Sequence, residues 1–524
     1  MLNSVVTPDA SKYKNMSKLH KYWSRKPWNL MSLMISKHSS AGDVVLDPFC
    51  GSGTVGLEAV LLNRNFIGFD LNPFSCLLTE NTLSADFDEE SLILAFEALK
   101  LKTSKKILEL YKHGSEYIIY SIPGTANKKS YNLVLGDKNL KKTRTIFDPD
   151  LKVNYGFSSN SQINIPDAEF PKKFYKDRFS YKGVKKISDL ISSENLDALT
   201  ILWDEINNLQ DPIKTSLKLV LTNTILHVSK LKSESIRPLG VNNYWIPDDF
   251  INENVYWRFL DRFEKYLKAK REIHGRYMLL DKNAIGTYKI FNETSLPLKN
   301  VKDNSIDYVL TDPPYGDVIQ YSELTFIWNT WIERDQNIIE ELIINPVQDK
   351  NMDYFIGQIS IFIAESFRVL RNNGKITICF QNKDPEIWFK LMRIAKISGY
   401  SMDSVEAFDY LGSPYNKNWS AKSPKMDLYV TLVKNQKAMV RTDSKQRIDF
   451  QQLAELSKMT IAPDGKNQID DIYSRFIACA IVSIMSGVDV ENISKKELLR
   501  YISSIADIGG INEKYYQGNI FQNI

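Results

Sequence analysis

With 524 residues, 43% hydrophobic and 25% charged, the chain is too long for one ordinary core and has the composition of a globular protein, which excludes a disordered tail or a small disulfide-stapled domain. The net charge of +4 excludes a uniform polyelectrolyte, yet residues 101–188 hold 18 Lys and Arg against 8 Asp and Glu, leaving the remainder mildly acidic. Such a stretch suits docking on a polyanion, although a solvated basic face has the same composition.

Residues 1–14 lack the apolar core of a signal peptide, and the longest apolar run, Phe476 to Met485, is too short to cross a bilayer. A cytoplasmic location with no membrane partner is therefore expected. Cys50, Cys76, Cys379 and Cys479 lie far apart, without a CxxC pair or a histidine at ligand spacing, so neither a metal site nor a disulfide framework is expected.

From residue 42 short apolar strands alternate with amphipathic helices: Val44 to Asp47 and Phe66 to Asp70 as strands, Gly53 to Leu62 and Pro73 to Thr82 as helices. This is the opening of a doubly wound α/β sheet. After about two hundred residues the alternation resumes, with strands at Tyr288 to Asn292, Ile306 to Thr311 and Lys375 to Phe380, and helices from Met352 to Leu370 and Pro385 to Ser398. Met402 to Tyr410 and Asp427 to Lys434 pair as a terminal antiparallel hairpin. The expected organisation is thus a Rossmann-like sheet in two pieces, 1–85 and 285–434, interrupted by a long, largely helical insert at 86–284 and followed by a helical extension at 435–524.

Asp47-Pro48-Phe49-Cys50-Gly51-Ser52-Gly53-Thr54 sits where the first strand ends and a helix begins. Gly51 and Gly53 let the backbone turn sharply and approach a ligand, and the helix offers its free N–H groups. The third glycine of a dinucleotide fingerprint and the Gly-Lys-Ser/Thr of a P-loop are both missing. Asp70, at the end of the second strand, can accept both hydroxyls of a ribose; its alternative role is to cap the helix that starts at Pro73. Together they point to a nucleoside-bearing cofactor.

Thr311-Asp312-Pro313-Pro314-Tyr315 follows the strand Ile306 to Thr311, and its two prolines fix a stiff loop at the edge where α/β sheets bind ligands. The residue types suit methylation of an exocyclic amino group. That nitrogen's lone pair is delocalised into the ring until acceptors hold its hydrogens; the Asp312 carboxylate and the Pro313 carbonyl can do so. Tyr315 would stack on the base, which must first leave its duplex.

These residues resemble the amino-group DNA methyltransferases, the adenine-N6 and cytosine-N4 enzymes. The resemblance implies S-adenosylmethionine as cofactor, held by Asp47, Pro48, Phe49, Gly51, Gly53, Thr54 and Asp70, and Asp312, Pro313, Pro314 and Tyr315 as the catalytic motif. It also sets Lys26 and Pro27, in the segment His20 to Trp28, on the cofactor's methionine end. Between Lys12 and Trp28 six Lys or Arg and four aromatic residues suit nucleic-acid contact equally well. Relatives hold the cofactor's adenine at the position of Asn292; a loop cap is the alternative there. The Tyr-Gly-Asp-Val-Ile-Gln-Tyr-Ser-Glu-Leu string from Tyr315, and Asn243-Tyr244-Trp245-Ile246-Pro247, look like a subgroup of adenine-specific DNA methylases.

The resemblance implies double-stranded DNA as partner, the insert as target-recognition region, and a restriction or defence protein as possible companion. Asp312 at the first motif position favours adenine N6 over cytosine N4, where serine is commoner. A tRNA guanine-N2 methyltransferase and a nucleic-acid-binding protein on an inactive scaffold are the competing readings. The first usually carries an RNA-binding domain ahead of the glycine loop, and the second conflicts with intact motifs.

Overall fold

The computed structural model describes residues 15–122, 131–137, 143–148, 165–174, 183–233, 250–380, 384–409, 426–435, 447–459 and 469–508, with 239, 244, 246, 247 and 382. Strands β1 (Val44–Asp47) and β2 (Asn65–Phe69) alternate with helices α1 (Trp28–His38), α2 (Thr54–Leu61) and α3 (Pro73–Leu83). The insert contributes α4 (Glu89–Glu109), α5 (Ser193–Asn207), α6 (Ile213–His227) and α7 (Val255–Met278). Then follow β3 (Tyr288–Phe291), β4 (Ile306–Thr311), α8 (Tyr321–Trp331), α9 (Met352–Val369), β5 (Leu370–Phe380), α10 (Pro385–Ile397), β6 (Tyr400–Asp409) and β7 (Met426–Lys434).

These strands form one seven-stranded sheet in the order β3-β2-β1-β4-β5-β7-β6, parallel except for β7. The separated pieces of sequence join directly: Phe66 lies opposite Tyr288, and Val45 opposite Tyr308. The hairpin forms as expected, with Tyr410 outside the described residues, as are Asn243 and Trp245 of the quoted motif. Within the hairpin β7 is wedged between β5 and β6, which its run of buried residues from Asp427 to Leu432 permits.

Alternation along the strands feeds two cores. Val45, Tyr308, Leu310 and Cys379 face one side with Leu57, Phe74, Leu199 and Phe259, whereas Leu46, Val309, Ile378 and Phe380 face the other with Ile359, Trp388 and Phe476. A parallel sheet covered on both faces favours near-continuous apolar runs, which the central strands supply at Val44–Leu46 and Tyr308–Leu310.

The insert shares the first core. Its last helix, α7, returns to the sheet's first piece, where Arg276 bonds both oxygens of the buried Glu58 of α2 at 2.5 and 2.6 Å and the Tyr277 hydroxyl donates to the Leu83 carbonyl at 2.6 Å. Between α4 and α5 stands a small antiparallel sheet of Glu116–Ile122, Tyr131–Gly136 and Thr143–Asp148, edged by Lys112–His113 and Asn252–Glu253. Much of the basic stretch lies outside the described residues. The extension supplies α11 (Phe450–Met459), α12 (Ile469–Ser486) and α13 (Lys495–Ile508), and Phe476 and Ile477 of α12 enter the second core beside α10. Among the described residues no helix is long and apolar enough to cross a membrane, and no cluster of three or more His, Cys, Asp or Glu is arranged to hold a metal ion.

Candidate active site

The winding of the sheet reverses between β1 and β4, and at such a switch point the carboxyl ends of parallel strands leave a crevice. A cleft open to solvent lies there. Of the residues expected at the site, Lys26, Asp47, Pro48, Phe49, Gly51, Thr54, Asp70, Asp312 and Pro314 line it; Pro27, Gly53, Asn292, Pro313 and Tyr315 do not.

The glycine loop is held by short contacts to the next strand. Gly51 and Gly53 have φ of +53° and +79°, the left-handed region, and a Cβ on Gly53 would stand 3.1 Å from the Thr79 backbone. The Gly51 N–H donates to Asp70 Oδ2 at 2.9 Å and the Asn72 N–H to Asp70 Oδ1 at 2.8 Å. One carboxylate thus fixes both turns and also meets the Ser75 hydroxyl, leaving acceptor capacity over for a ligand. Asp47 Oδ1 accepts from the Thr311 hydroxyl at 2.7 Å and the Phe49 N–H at 3.1 Å, tying β1 to β4. No side chain caps α2, so the first-turn N–H groups remain for a ligand at Thr54 and Val55. Asn292 is exposed and donates to the Asp70 and Leu71 carbonyls at 3.1 and 3.2 Å. It holds the turn after β2, and the cleft wall on that side is Thr294, Ser295 and Leu296.

The Asp-Pro-Pro-Tyr loop is held by contacts from remote parts of the chain. The Tyr315 hydroxyl donates to Asp312 Oδ1 at 2.5 Å. Lys26 Nζ donates to the Tyr315 oxygen and to Asp427 Oδ2, each at 2.6 Å, and stands 3.3 Å from Asp312 Oδ2. Asn382 Nδ2 donates to the Tyr315 carbonyl at 3.1 Å, and the Tyr473 hydroxyl donates to the Asn382 carbonyl. The structure places the Tyr315 ring, expected to stack on the base, among buried side chains beside the cleft. Its hydroxyl is drawn to Asp312 and Lys26, and its ring lies in the second core, edge-on to Phe380 with centroids 5.5 Å apart. Tyr22 and Tyr321 are aromatic residues that do line the cleft, stacked with centroids 6.0 Å apart.

Burial sets the electrostatics. It pushes Asp47 up to about 7 against the hydrogen bonds from Thr311 and Phe49, and Asp70 up to about 6 against those from Asn72 and Gly51. Asp312 also rises to about 7 by burial, opposed by Lys26 and the Tyr315 hydroxyl. Burial alone would lower the Lys26 ammonium, but Asp312 and Asp427 outweigh it and hold it well above the lysine range.

The sequence reading missed Asp427, Asn382 and Tyr473. None sits in a recognisable motif; each acquires its place only through the strand order or the docking of α12. Tyr22 and Tyr321 lay within segments already singled out.

A doubly wound sheet thus brings a glycine loop, an acid closing the second strand and an acidic Pro-Pro loop to one cleft. A family model described as DNA methylase matches residues 4–81. The chain is 32% identical over 404 residues to the Type II methyltransferase M.MjaII of Methanocaldococcus jannaschii, covering 71% of this chain and 72% of that one. It is 23% identical over 304 residues to the Type II methyltransferase M.BsoBI of Geobacillus stearothermophilus, 58% of this chain and 50% of the relative. The DNA adenine methyltransferase YhdJ of Escherichia coli is 40% identical over 57 residues, 11% of this chain and 19% of that one. The chain belongs to the amino-group DNA methyltransferase family.

Proposed function

We propose that this DNA methyltransferase uses S-adenosylmethionine to methylate adenine N6 at a specific site in duplex DNA, within a restriction-modification or defence setting. One observation carries the reading: Asp70 and Asp312 line the same cleft at the sheet's switch point. The residues fit the cofactor. Asp70 keeps acceptor capacity for a ribose, the Gly51–Gly53 turn lets the backbone approach closely, the uncapped start of α2 at Thr54 presents backbone N–H groups, and Asp47, Pro48 and Phe49 complete that wall. Pro27 leads into α1 beside it, and Asn292 steadies the turn that carries Asp70. When bound, S-adenosylmethionine supplies an electrophilic methyl group.

The chain's own residues prepare the nucleophile. Asp312 and the Pro313 carbonyl accept the two amino hydrogens, which frees the nitrogen lone pair and stabilises the positive charge that develops on that nitrogen. The base must leave the helix to arrive there, and Tyr22 and Tyr321 offer it aromatic surface. Asp312 at the head of the motif and the local likeness to YhdJ favour adenine over cytosine N4. Residues 86–284 serve as target-recognition region, 1–85 and 285–434 as the two halves of the catalytic domain, and 435–524 as its brace.

The test is incubation with methyl-labelled cofactor and duplex DNA or tRNA, followed by nucleoside analysis. Label in N6-methyladenine of DNA is expected, and label in tRNA alone would overturn the reading. Asp312→Ala is expected to lower turnover by at least ~10³-fold while the cofactor still binds; an undiminished rate would remove Asp312 from the catalytic role.

A further inference from the structure

We propose that Lys26 is a positioning residue for the methyl transfer: its ammonium, anchored on Asp427, keeps Asp312 in the carboxylate form that accepts the target amino hydrogens. The inference rests on the catalytic role of Asp312 given above. Three distant segments meet here, the lead into α1, the loop after β4 and the start of β7. Two protons of the ammonium are committed, to the Tyr315 oxygen and to Asp427 Oδ2 at 2.6 Å, and the third has Asp312 Oδ2 at 3.3 Å. All three protons of the ammonium thus face acceptors of the chain itself. The Lys26 and Asp427 side chains are only 9% and 5% exposed, so solvent screens this pairing little.

The surroundings show why a cation is required. Around Asp312 and Lys26 stand Asp47 of β1, Tyr315 of the loop itself, Tyr321 of α8, Cys379 of β5, and Asp427 and Tyr429 of β7. All are neutral or negative when they titrate, and burial too disfavours a charged Asp312. Lys26 is the cation among them, and only the hydrogen bond from the Tyr315 hydroxyl joins it in opposing protonation. A protonated carboxyl turns one oxygen from acceptor to donor and cannot hold an amino hydrogen with it. Asp427 anchors the ammonium but also draws on its charge, so its removal should act in the opposite sense to removal of Lys26.

The experiment compares pH profiles of kcat/KM and cofactor affinity for wild type, Lys26→Met and Asp427→Asn. It adds an infrared titration of the cofactor-free proteins, in which the protonated Asp312 carboxyl band is identified by its loss in Asp312→Asn. In Lys26→Met the acid limb and the band should both move up by at least about one pH unit, roughly a fivefold loss of the carboxylate form near neutrality. Its cofactor dissociation constant should stay within about twofold of wild type, since the ammonium's protons face acceptors of the chain itself. Asp427→Asn keeps an acceptor for the ammonium and should move limb and band down. An unmoved limb and band, or a collapse of cofactor affinity without a pH shift, overturns the proposal. Should Lys26→Met fail to fold, Asp427→Asn decides by the same criteria. The infrared band does not depend on turnover, so an active Asp312→Ala would sink the catalytic reading while leaving the Lys26 linkage separately measurable.

Discussion

The glycine loop and the Asp-Pro-Pro-Tyr loop leave adjacent parallel strands at the same edge of the sheet, and each is tied to a half-buried carboxylate, Asp70 for the first and Asp312 for the second. They steady it differently. Asp70 is held by backbone N–H groups from its own neighbourhood, Gly51 and Asn72. Asp312 is held by a phenol three residues on and by an ammonium from Lys26, which is itself tied to Asp427, 401 residues away from it. Backbone amides are fixed dipoles that come with the turn. An ion pair built from side chains must be assembled by the whole fold, and its effect disappears with either partner.

Substitutions can test that contrast. The largest expected effect is the loss of at least ~10³-fold in turnover for Asp312→Ala, because no amide can replace the acceptor facing the amino group. Next comes Asp70→Asn, which should weaken cofactor binding by ~10-fold or more, as a charge-assisted bond is worth ~1.5–3 kcal/mol; calorimetric titration checks this, and unaltered affinity would deny Asp70 the ribose.

The pH dependence of cofactor binding separates the loops further. Asp70 titrates near 6, raised by burial, so it is charged above that value and neutral below it. Cofactor affinity should therefore fall as pH drops through about 6, and the fall should vanish in Asp70→Asn. The acid limb of turnover should instead follow Asp312, near 7.

The smallest effect is expected for Tyr473→Phe. It removes one hydrogen bond to the Asn382 carbonyl and reaches Tyr315 only through Asn382. A loss of ~2–10-fold in kcat, with little change in KM, corresponds to one neutral hydrogen bond. No change in kcat would mean that α12 packs on the catalytic half without steadying its loop.

The same contrast explains what the sequence revealed. Strands β1, β2 and β4, the two left-handed glycines and the Pro-Pro loop are encoded within a few residues each, as runs of apolar residues or as backbone requirements. Their common cleft also followed, since parallel strands present their carboxyl ends together. Asp427, Asn382 and Tyr473 were illegible because nothing near them in sequence announces their role. Asp427 reaches Lys26 only because β7 lies beside β5, and Tyr473 reaches Asn382 only because α12 docks against α10. Tyr315 shows the converse limit: a motif gave its identity, but the contacts of its ring and hydroxyl come from β5 and the lead into α1, which the motif does not announce.

The strand order has a consequence for the chain as it is made. β1 is bordered by β2 and by β4, yet β4 begins at Ile306, so one edge of β1 has no partner until the entire insert has left the ribosome. At ~5–20 residues per second that interval is on the order of tens of seconds, during which an apolar strand edge stands open to other chains. The insert's docking on α2 and α3, through Arg276 and Tyr277, covers a face of the half-built sheet but not that edge. The nascent chain therefore depends on either rapid arrival of β4 or a chaperone to reach the same sheet without pairing elsewhere.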